Sequence, residues 1–138
     1  MEWEKVQSVV FLVGREQFSS IKEFAKESGK SVEIIVVHSD KTSETKDCLL
    51  SFNKKDFNFF GLLKPAAIQK LTDKTFDILI NTDFNNSALL KTLTGLTQSK
   101  CKLGPESANY NEFFDISIQS SQQDFVKEAL KYLMMIKS

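Results

Sequence analysis

Hydrophobic positions follow two alternating spacings along the first third of the chain, and the alternation predicts strands separated by helices. The apolar, β-branched runs Val6–Val13 and Val32–Val37 are typical of strands buried on both faces of a sheet. Between these runs, apolar residues recur at the spacing of one helix face, at Phe18, Ile21, Phe24 and Ala25. We therefore predict a helix over Arg15–Ser28, and Gly29 is suited to end it.

The middle of the chain continues the pattern with weaker signals. Lys41–Ser51 is mostly polar and predicts either a short helix or an irregular crossover. The aromatic run Phe57–Leu62 predicts a third strand. Pro65 predicts the first turn of a helix, because a proline at that position loses no hydrogen bond. Phe76–Asn81 predicts the fourth strand.

The last third of the chain predicts two helices and two strands. A leucine stripe marks the apolar face of the first helix, at Leu89, Leu93 and Leu96. A short fifth strand, Lys100–Gly104, and a partly alternating edge strand, Phe113–Ile118, follow it. Ser121 and Asp124 form a capping-box-like start for the last helix. That helix has an apolar face at Phe125, Ala129, Tyr132, Leu133 and Ile136.

The order of these elements predicts a single Rossmann-like α/β domain over residues 1–138. Strands that alternate with helices form a three-layer sandwich, here with a mostly parallel sheet of five or six strands. With the strand order 3-2-1-4-5, the first and fourth strands are neighbours. The turns after these two strands then flank the topological switch point, where such sheets bind ligands.

Polar side chains follow both of these strands and define the candidate ligand-binding site. We expect the side chains of Arg15, Glu16, Thr82, Asp83 and Asn85 to converge on one crevice, where they suit the hydroxyls of a sugar or ribose. The alternative is that Asn85 and its neighbours cap the following helix and shape the turn, which explains the same residue types.

The sequence lacks recognisable motifs for binding a cofactor, for binding a metal ion or for nucleophilic catalysis. The first turn, Gly14–Phe18, has one glycine where dinucleotide binders need three, so we expect no cofactor. Two cysteines without C-x-x-C spacing and one histidine predict no metal site. We assign no catalytic residue, and the sequence leans against an enzyme.

Charge and hydropathy indicate which classes of partner the protein does not bind. The net charge is zero, which lacks the basic footprint of a nucleic-acid binder. The apolar runs are the length of strands and too short to span a membrane. The N-terminus does not have the pattern of a signal peptide. We therefore expect a cytoplasmic protein with reduced cysteines, no nucleic-acid partner and no membrane association.

The C-terminal helix suggests how the protein binds. Leu133–Ile136 makes its apolar face wider than packing on one sheet requires, which suits a homodimer or a protein partner. Our first hypothesis is a non-catalytic binding or interaction domain. The alternative is a site for a small polar ligand, a nucleotide or sugar phosphate, at the switch point. A third hypothesis is a small transferase whose site is completed by a partner chain.

The whole chain resembles an uncharacterised family of short bacterial proteins, a domain of unknown function. The resemblance lies in the strand Phe76–Ile80, the segment from Leu89 to Gly104, the strand Phe114–Ile116 and the closing residues Leu130–Leu133. It implies a fold and no particular activity.

Residues 76–104, about a fifth of the chain, are also similar to part of the N-terminal domain of heptosyltransferase-type glycosyltransferases. The shared pattern is an aromatic-Asp-apolar strand, a polar loop, a leucine-rich helix and a glycine-containing strand. The resemblance implies a Rossmann-like domain, and a remnant of such a transferase is one alternative. Those enzymes have a second nucleotide-sugar domain, which a chain of 138 residues is expected to lack. Their catalytic carboxylate follows the first strand, where this chain has Gly14-Arg15-Glu16-Gln17 without an aspartate. We therefore expect the fold without the transferase activity.

Overall fold

The fold is described here from a computed structural model of the chain. The structure describes residues 3–13, 18–37, 50–52, 64–73, 75–84, 88–106, 108–121 and 123–135. Strands and helices alternate along the chain. The strands are β1 (Ser8–Val13), β2 (Ser31–Val37), β3 (Leu50–Phe52), β4 (Thr75–Asn81), β5 (Gln98–Pro105) and β6 (Ile116–Ile118). The helices are α1 (Phe18–Ser28), α2 (Pro65–Thr72), α3 (Ala88–Leu96) and α4 (Phe125–Met134).

The six strands form one sheet in the order β3-β2-β1-β4-β5-β6, and every pair of neighbours is parallel. In β1, Phe11 lies opposite Ile34 of β2 and Ile80 of β4. The order agrees with the predicted 3-2-1-4-5 pattern, although β3 is Leu50–Phe52 and not the predicted third strand, and β6 lies beyond β5. The switch point therefore lies between β1 and β4.

Two apolar layers cover the sheet, one on each face, which confirms the three-layer α/β sandwich. On one face, α1 and α4 pack against side chains such as Phe11, Ile78 and Leu103. On the other face, α3 packs against Val10 and Leu79, and Ile68 of α2 adds to that cluster. Because strands in the middle of such a sheet are buried on both faces, β1 is apolar from Val9 onward and the centre of β4 is apolar over Ile78–Ile80.

Local sequence signals set several element boundaries as predicted. Gly29 follows α1 with a φ of 67°, the left-handed conformation that glycine adopts without steric cost. Pro65 opens α2 after an extended Lys64. Before α4, the Ser121 hydroxyl accepts a hydrogen bond from the Asp124 backbone N–H at 3.3 Å and donates one to the Asp124 carboxylate, as a capping box would, but the helix begins later, at Phe125 with Asp124 as its N-cap.

Two predicted elements need correction. Strand β3 begins at Leu50, within the segment predicted as a helix or irregular crossover, and the predicted third strand Phe57–Leu62 lies outside the described residues. The predicted edge strand Phe113–Ile118 is shorter, because Asn111–Phe113 forms a 3-10 helix and β6 begins at Ile116. Phe114 instead points its ring at the backbone of β5, where Gly104 leaves room for it.

Within the described ranges, no helix combines the length and apolar character that crossing a lipid bilayer requires.

Candidate functional site

Three consecutive polar residues at the carboxyl end of β4 are buried. Asn81, Thr82 and Asp83 are 0%, 4% and 3% exposed. They end an apolar strand at the switch point, so their polar groups have left water and need partners inside the protein.

The Asn81 side chain is the centre of a hydrogen-bond network. Its Nδ2 donates to the Thr94 hydroxyl of α3 at 2.7 Å and to the Tyr110 hydroxyl at 3.2 Å. Its Oδ1 accepts from the Asp83 backbone N–H at 2.7 Å. This last bond is an Asx turn, which fixes the path of the chain as it leaves the strand.

Tyr110 connects Asn81 to Asp83 through its hydroxyl group. Its hydroxyl donates to Oδ2 of Asp83, and the residue is only 1% exposed. Burial raises the pKa of the Tyr110 hydroxyl well above its ordinary value. The hydrogen bond to Asp83 raises this pKa further, while the bond from Asn81 acts in the opposite direction.

Thr82 holds the two strands of the switch point together. Its hydroxyl and its backbone N–H both donate to the carbonyl oxygen of Leu12, each at 3.1 Å. Leu12 lies near the end of β1, so these bonds extend the β1–β4 pairing beyond the last strand residue.

Aromatic packing holds Tyr110 in position. The Tyr110 ring lies 5.8 Å from the Phe114 ring and 6.1 Å from the Phe113 ring, centroid to centroid, both in edge-on orientations. Phe114 in turn occupies the space beside Gly104, where an added Cβ would lie 2.2 Å from the ring. Because glycine has no side chain, Gly104 leaves room for the Phe114 ring, and that ring in turn packs against Tyr110.

Comparison with protein families identifies the chain over nearly its whole length. Residues 2–136 match DUF6913, a family of unknown function. The chain belongs to this family. A search of curated proteins finds no match.

A solved structure of similar fold is the E. coli heptosyltransferase WaaC with ADP, at a TM-score of 0.59 and 12% sequence identity. The similarity covers 93% of this chain and 46% of the heptosyltransferase chain, so the DUF6913 protein spans about half the length of that neighbour. At this identity the likeness establishes the Rossmann-like fold. Both resemblances expected from the sequence are thus confirmed, at the level of family and of fold.

The predicted site residues have different outcomes. Thr82 and Asp83 lie at the switch point as expected, but their side chains are buried and bonded within the chain, to Leu12 and Tyr110. Arg15, Glu16 and Asn85 lie outside the described residues. The convergence of all five side chains on one crevice therefore stays a prediction.

Sequence reasoning missed two members of the network, Thr94 and Tyr110. Thr94 lies in α3, and its hydroxyl also donates to the Leu90 carbonyl at 2.7 Å, a common helix contact that gives no sequence signal. Tyr110 did carry a signal, because it is the one aromatic residue in the polar stretch Glu106–Glu112. An isolated aromatic in a polar loop often anchors that loop to the core.

Two other acidic residues hold strands together. The Asp115 carboxylate accepts the Lys102 backbone N–H at 2.7 Å, and the Asp115 N–H donates to the Lys102 carbonyl at 2.7 Å, which ties β6 to β5. Asp77 accepts the backbone N–H groups of Gln7 and Ser8 at 2.8 and 3.2 Å. These contacts assign both carboxylates to strand pairing.

The described part of the DUF6913 chain offers little evidence for a metal site or for a reactive cysteine. No group of three or more His, Cys, Asp or Glu side chains lies close enough together there to hold a metal ion. Cys101 is a buried free cysteine in β5, and burial raises the pKa of its thiol, which disfavours the nucleophilic thiolate.

Proposed function

We propose that this DUF6913 protein is a non-catalytic interaction domain that binds another protein chain through the C-terminal turn of α4. The observation that carries the proposal is a group of exposed, large apolar side chains on that turn. Tyr132, Met134 and Met135 are 47%, 57% and 78% exposed.

Other residues form the face of α4 that packs against the protein core. Phe125, Ala129 and Leu133 are fully buried against the sheet and α1. The apolar residues of the last turn therefore extend beyond what the fold uses. Tyrosine contributes strongly to protein interfaces, and methionine adapts its shape to a partner.

A second copy of the chain is the first partner to test, because zero net charge leaves little repulsion between copies. Sedimentation equilibrium would be measured for the native chain and for Met135→Glu. We expect a concentration-dependent dimer that Met135→Glu converts to a monomer. Gln123→Glu, an exposed position two residues before α4 begins and with the same charge change, is the matched control and should leave the dimer intact.

A monomeric native chain would move the test to a partner of different sequence. Affinity capture by the native chain and by Met135→Glu would then be compared. A protein retained by both forms alike, or by neither, would contradict the role of α4.

The second candidate function is binding of a small polar ligand at the switch point. The sheet order favours it, because β1 and β4 are parallel neighbours whose carboxyl ends lie at the same edge of the sheet. The fold neighbour solved with ADP makes nucleotides the first class of ligand to test.

A thermal-shift screen of nucleotides, nucleotide sugars, sugar phosphates and S-adenosylmethionine tests this candidate. A ligand at one hundred times its Kd adds about 2.7 kcal/mol to the free energy of unfolding, which raises the Tm by several degrees. Arg15→Ala and Asn85→Ala should remove the shift, and Lys26→Ala, an exposed position on α1, should keep it. A panel without any shift would contradict this candidate.

A further inference from the structure

The Tyr110 hydroxyl lies between a buried hydrogen-bond acceptor and a buried donor, an arrangement suited to recognise a hydroxyl group. The Asp83 carboxylate accepts a hydrogen bond from this hydroxyl, and the Asn81 amide donates one to its oxygen at 3.2 Å. The Asn81 amide is itself oriented by Thr94 at 2.7 Å. An acceptor and a donor, both buried and both held in place, select a hydroxyl over an apolar group of the same shape.

Tyr110 reaches this position from the connection between β5 and β6, residues 106–115, which we name the strap. Each end of the strap is anchored by a backbone bond. The Glu106 N–H donates to the Ile118 carbonyl at 2.9 Å, and the Asp115 N–H donates to the Lys102 carbonyl at 2.7 Å. Tyr110 lies between these anchors, so its hydroxyl ties the middle of the strap to β4.

The outer part of the strap has the features of a segment that opens locally. The regular element among its described residues is the three-residue 3-10 helix Asn111–Phe113, and the Phe113 side chain is 38% exposed, whereas Ala108, Tyr110 and Phe114 are buried. Short elements with exposed side chains belong to the low-stability parts of a fold. With both ends anchored, the middle can move while β5 and β6 stay paired.

We propose that Asn81, Asp83 and Thr94 form a hydroxyl-recognition site at the carboxyl end of β4, and that Tyr110 is its resident occupant, an autoinhibitory contact. The ligand class is a small molecule that presents a hydroxyl to Asp83 and Asn81 once the strap opens. The inference is independent of the interaction surface on α4.

Chemical rescue tests the recognition of a hydroxyl. Tyr110→Ala removes the ring and its hydroxyl and leaves Asn81, Asp83 and Thr94 in place. We expect p-cresol, which reproduces the lost side chain, to bind this variant at least tenfold more tightly than toluene, as measured by the rise in Tm. Phe114→Ala is the matched control, since its cavity lacks the polar groups and should favour neither compound.

Equal binding of p-cresol and toluene to Tyr110→Ala, or binding of neither, would overturn the proposal. If the variant does not fold alone, folding in p-cresol but not in toluene supports the proposal, and failure to fold in both counts against it.

Nitration of the native chain tests whether the strap opens. The chain has two tyrosines, so the 47% exposed Tyr132 serves as the internal reference for Tyr110. We expect tetranitromethane to modify Tyr110 at least tenfold more slowly than Tyr132, with only a weak dependence on urea. A rate at Tyr110 that rises with urea as steeply as global unfolding would overturn the proposal, because Tyr110 would then leave its position only when the chain unfolds.

Discussion

The two ends of β4 each use an aspartate to join the strand to its neighbours, but in opposite surroundings. At the amino end, Asp77 is 21% exposed, accepts two backbone N–H groups and forms an ion pair with Lys100 at 3.3 Å. At the carboxyl end, Asp83 is 3% exposed and accepts the Tyr110 hydroxyl. One carboxylate stays in contact with water, while the other has lost it.

This difference separates an aspartate that serves strand pairing from one whose burial calls for a further reason. A partly exposed carboxylate that caps backbone N–H groups costs little desolvation, so Asp77 needs no function beyond the fold. A buried carboxylate is costly unless its partners are well placed, and an apolar residue would often serve stability as well. The carboxyl end of β4, at the switch point, is therefore where we expect function to have shaped the sequence.

Asp83→Ala should have the largest effect. The substitution leaves the buried hydroxyl of Tyr110 without its acceptor and removes the packed carboxylate beside it. We expect the free energy of unfolding to fall by about 3 kcal/mol. Urea denaturation followed by circular dichroism checks this value. A loss below about 1 kcal/mol would show that Asp83 is as lightly engaged as a surface residue.

Gly104→Ala should come next, because the new Cβ would lie 2.2 Å from the Phe114 ring and displace it from Tyr110. We expect a loss of about 2 kcal/mol. Removing the ring should reverse part of this loss, so Gly104→Ala should cost much less in a Phe114→Ala background. Additive effects of the two substitutions in urea denaturation would contradict the contact.

Asp77→Asn should cost about 1 kcal/mol at neutral pH, because its partners are backbone N–H groups near the surface. The backbone N–H of Gln7 is the main cause that lowers the pKa of Asp77, and Ser8 and Lys100 add to it, while desolvation opposes it. The contribution of Asp77 is therefore fully present above the ordinary pKa of an aspartate and is lost as the pH falls through the lower pKa of the folded state.

Urea denaturation between pH 7 and pH 2 checks this dependence. The stability difference between the native chain and Asp77→Asn should shrink below about pH 4. A difference that stays constant down to pH 2 would contradict the role of the Asp77 charge.

Gly95→Ala should have the smallest effect and the opposite sign. In α3 a Cβ at position 95 would lie 3.6 Å from Phe113, an ordinary contact, and alanine favours the helix. We expect stabilisation by about 0.5–1 kcal/mol, seen as a higher Tm. Destabilisation would show that Phe113 packs against α3 more tightly than this spacing indicates.

Sequence periodicity was sufficient to predict the layers of this fold. Apolar runs identify β1, β2 and β4 because these strands are buried on both faces, and Gly29 and Pro65 mark helix boundaries through their own backbone preferences. The short strand β3 escaped prediction, because three residues carry too little pattern to show a period.

The location of the candidate site in the fold could be predicted from the sequence, but the partners of its side chains could not. The strand order located Asp83 at the switch point, since parallel strands share one carboxyl edge. Its partner Tyr110 lies 27 residues further along the chain, and no local pattern connects the two. Long-range partners of this kind depend on tertiary packing, here on the space that Gly104 leaves for Phe114.

A double-mutant cycle on Asp83 and Tyr110 tests most directly whether the carboxyl end of β4 is closed by the strap. Unfolding free energies would be measured in urea for the native chain, Asp83→Asn, Tyr110→Phe and the double variant. We predict a coupling energy of about 1.5 kcal/mol or more, because the bond joins a hydroxyl to a buried carboxylate. Asp77→Asn with Tyr110→Phe, at opposite ends of β4, is the control cycle and should be additive. Additivity of Asp83 and Tyr110 within about 0.5 kcal/mol would contradict the closed arrangement.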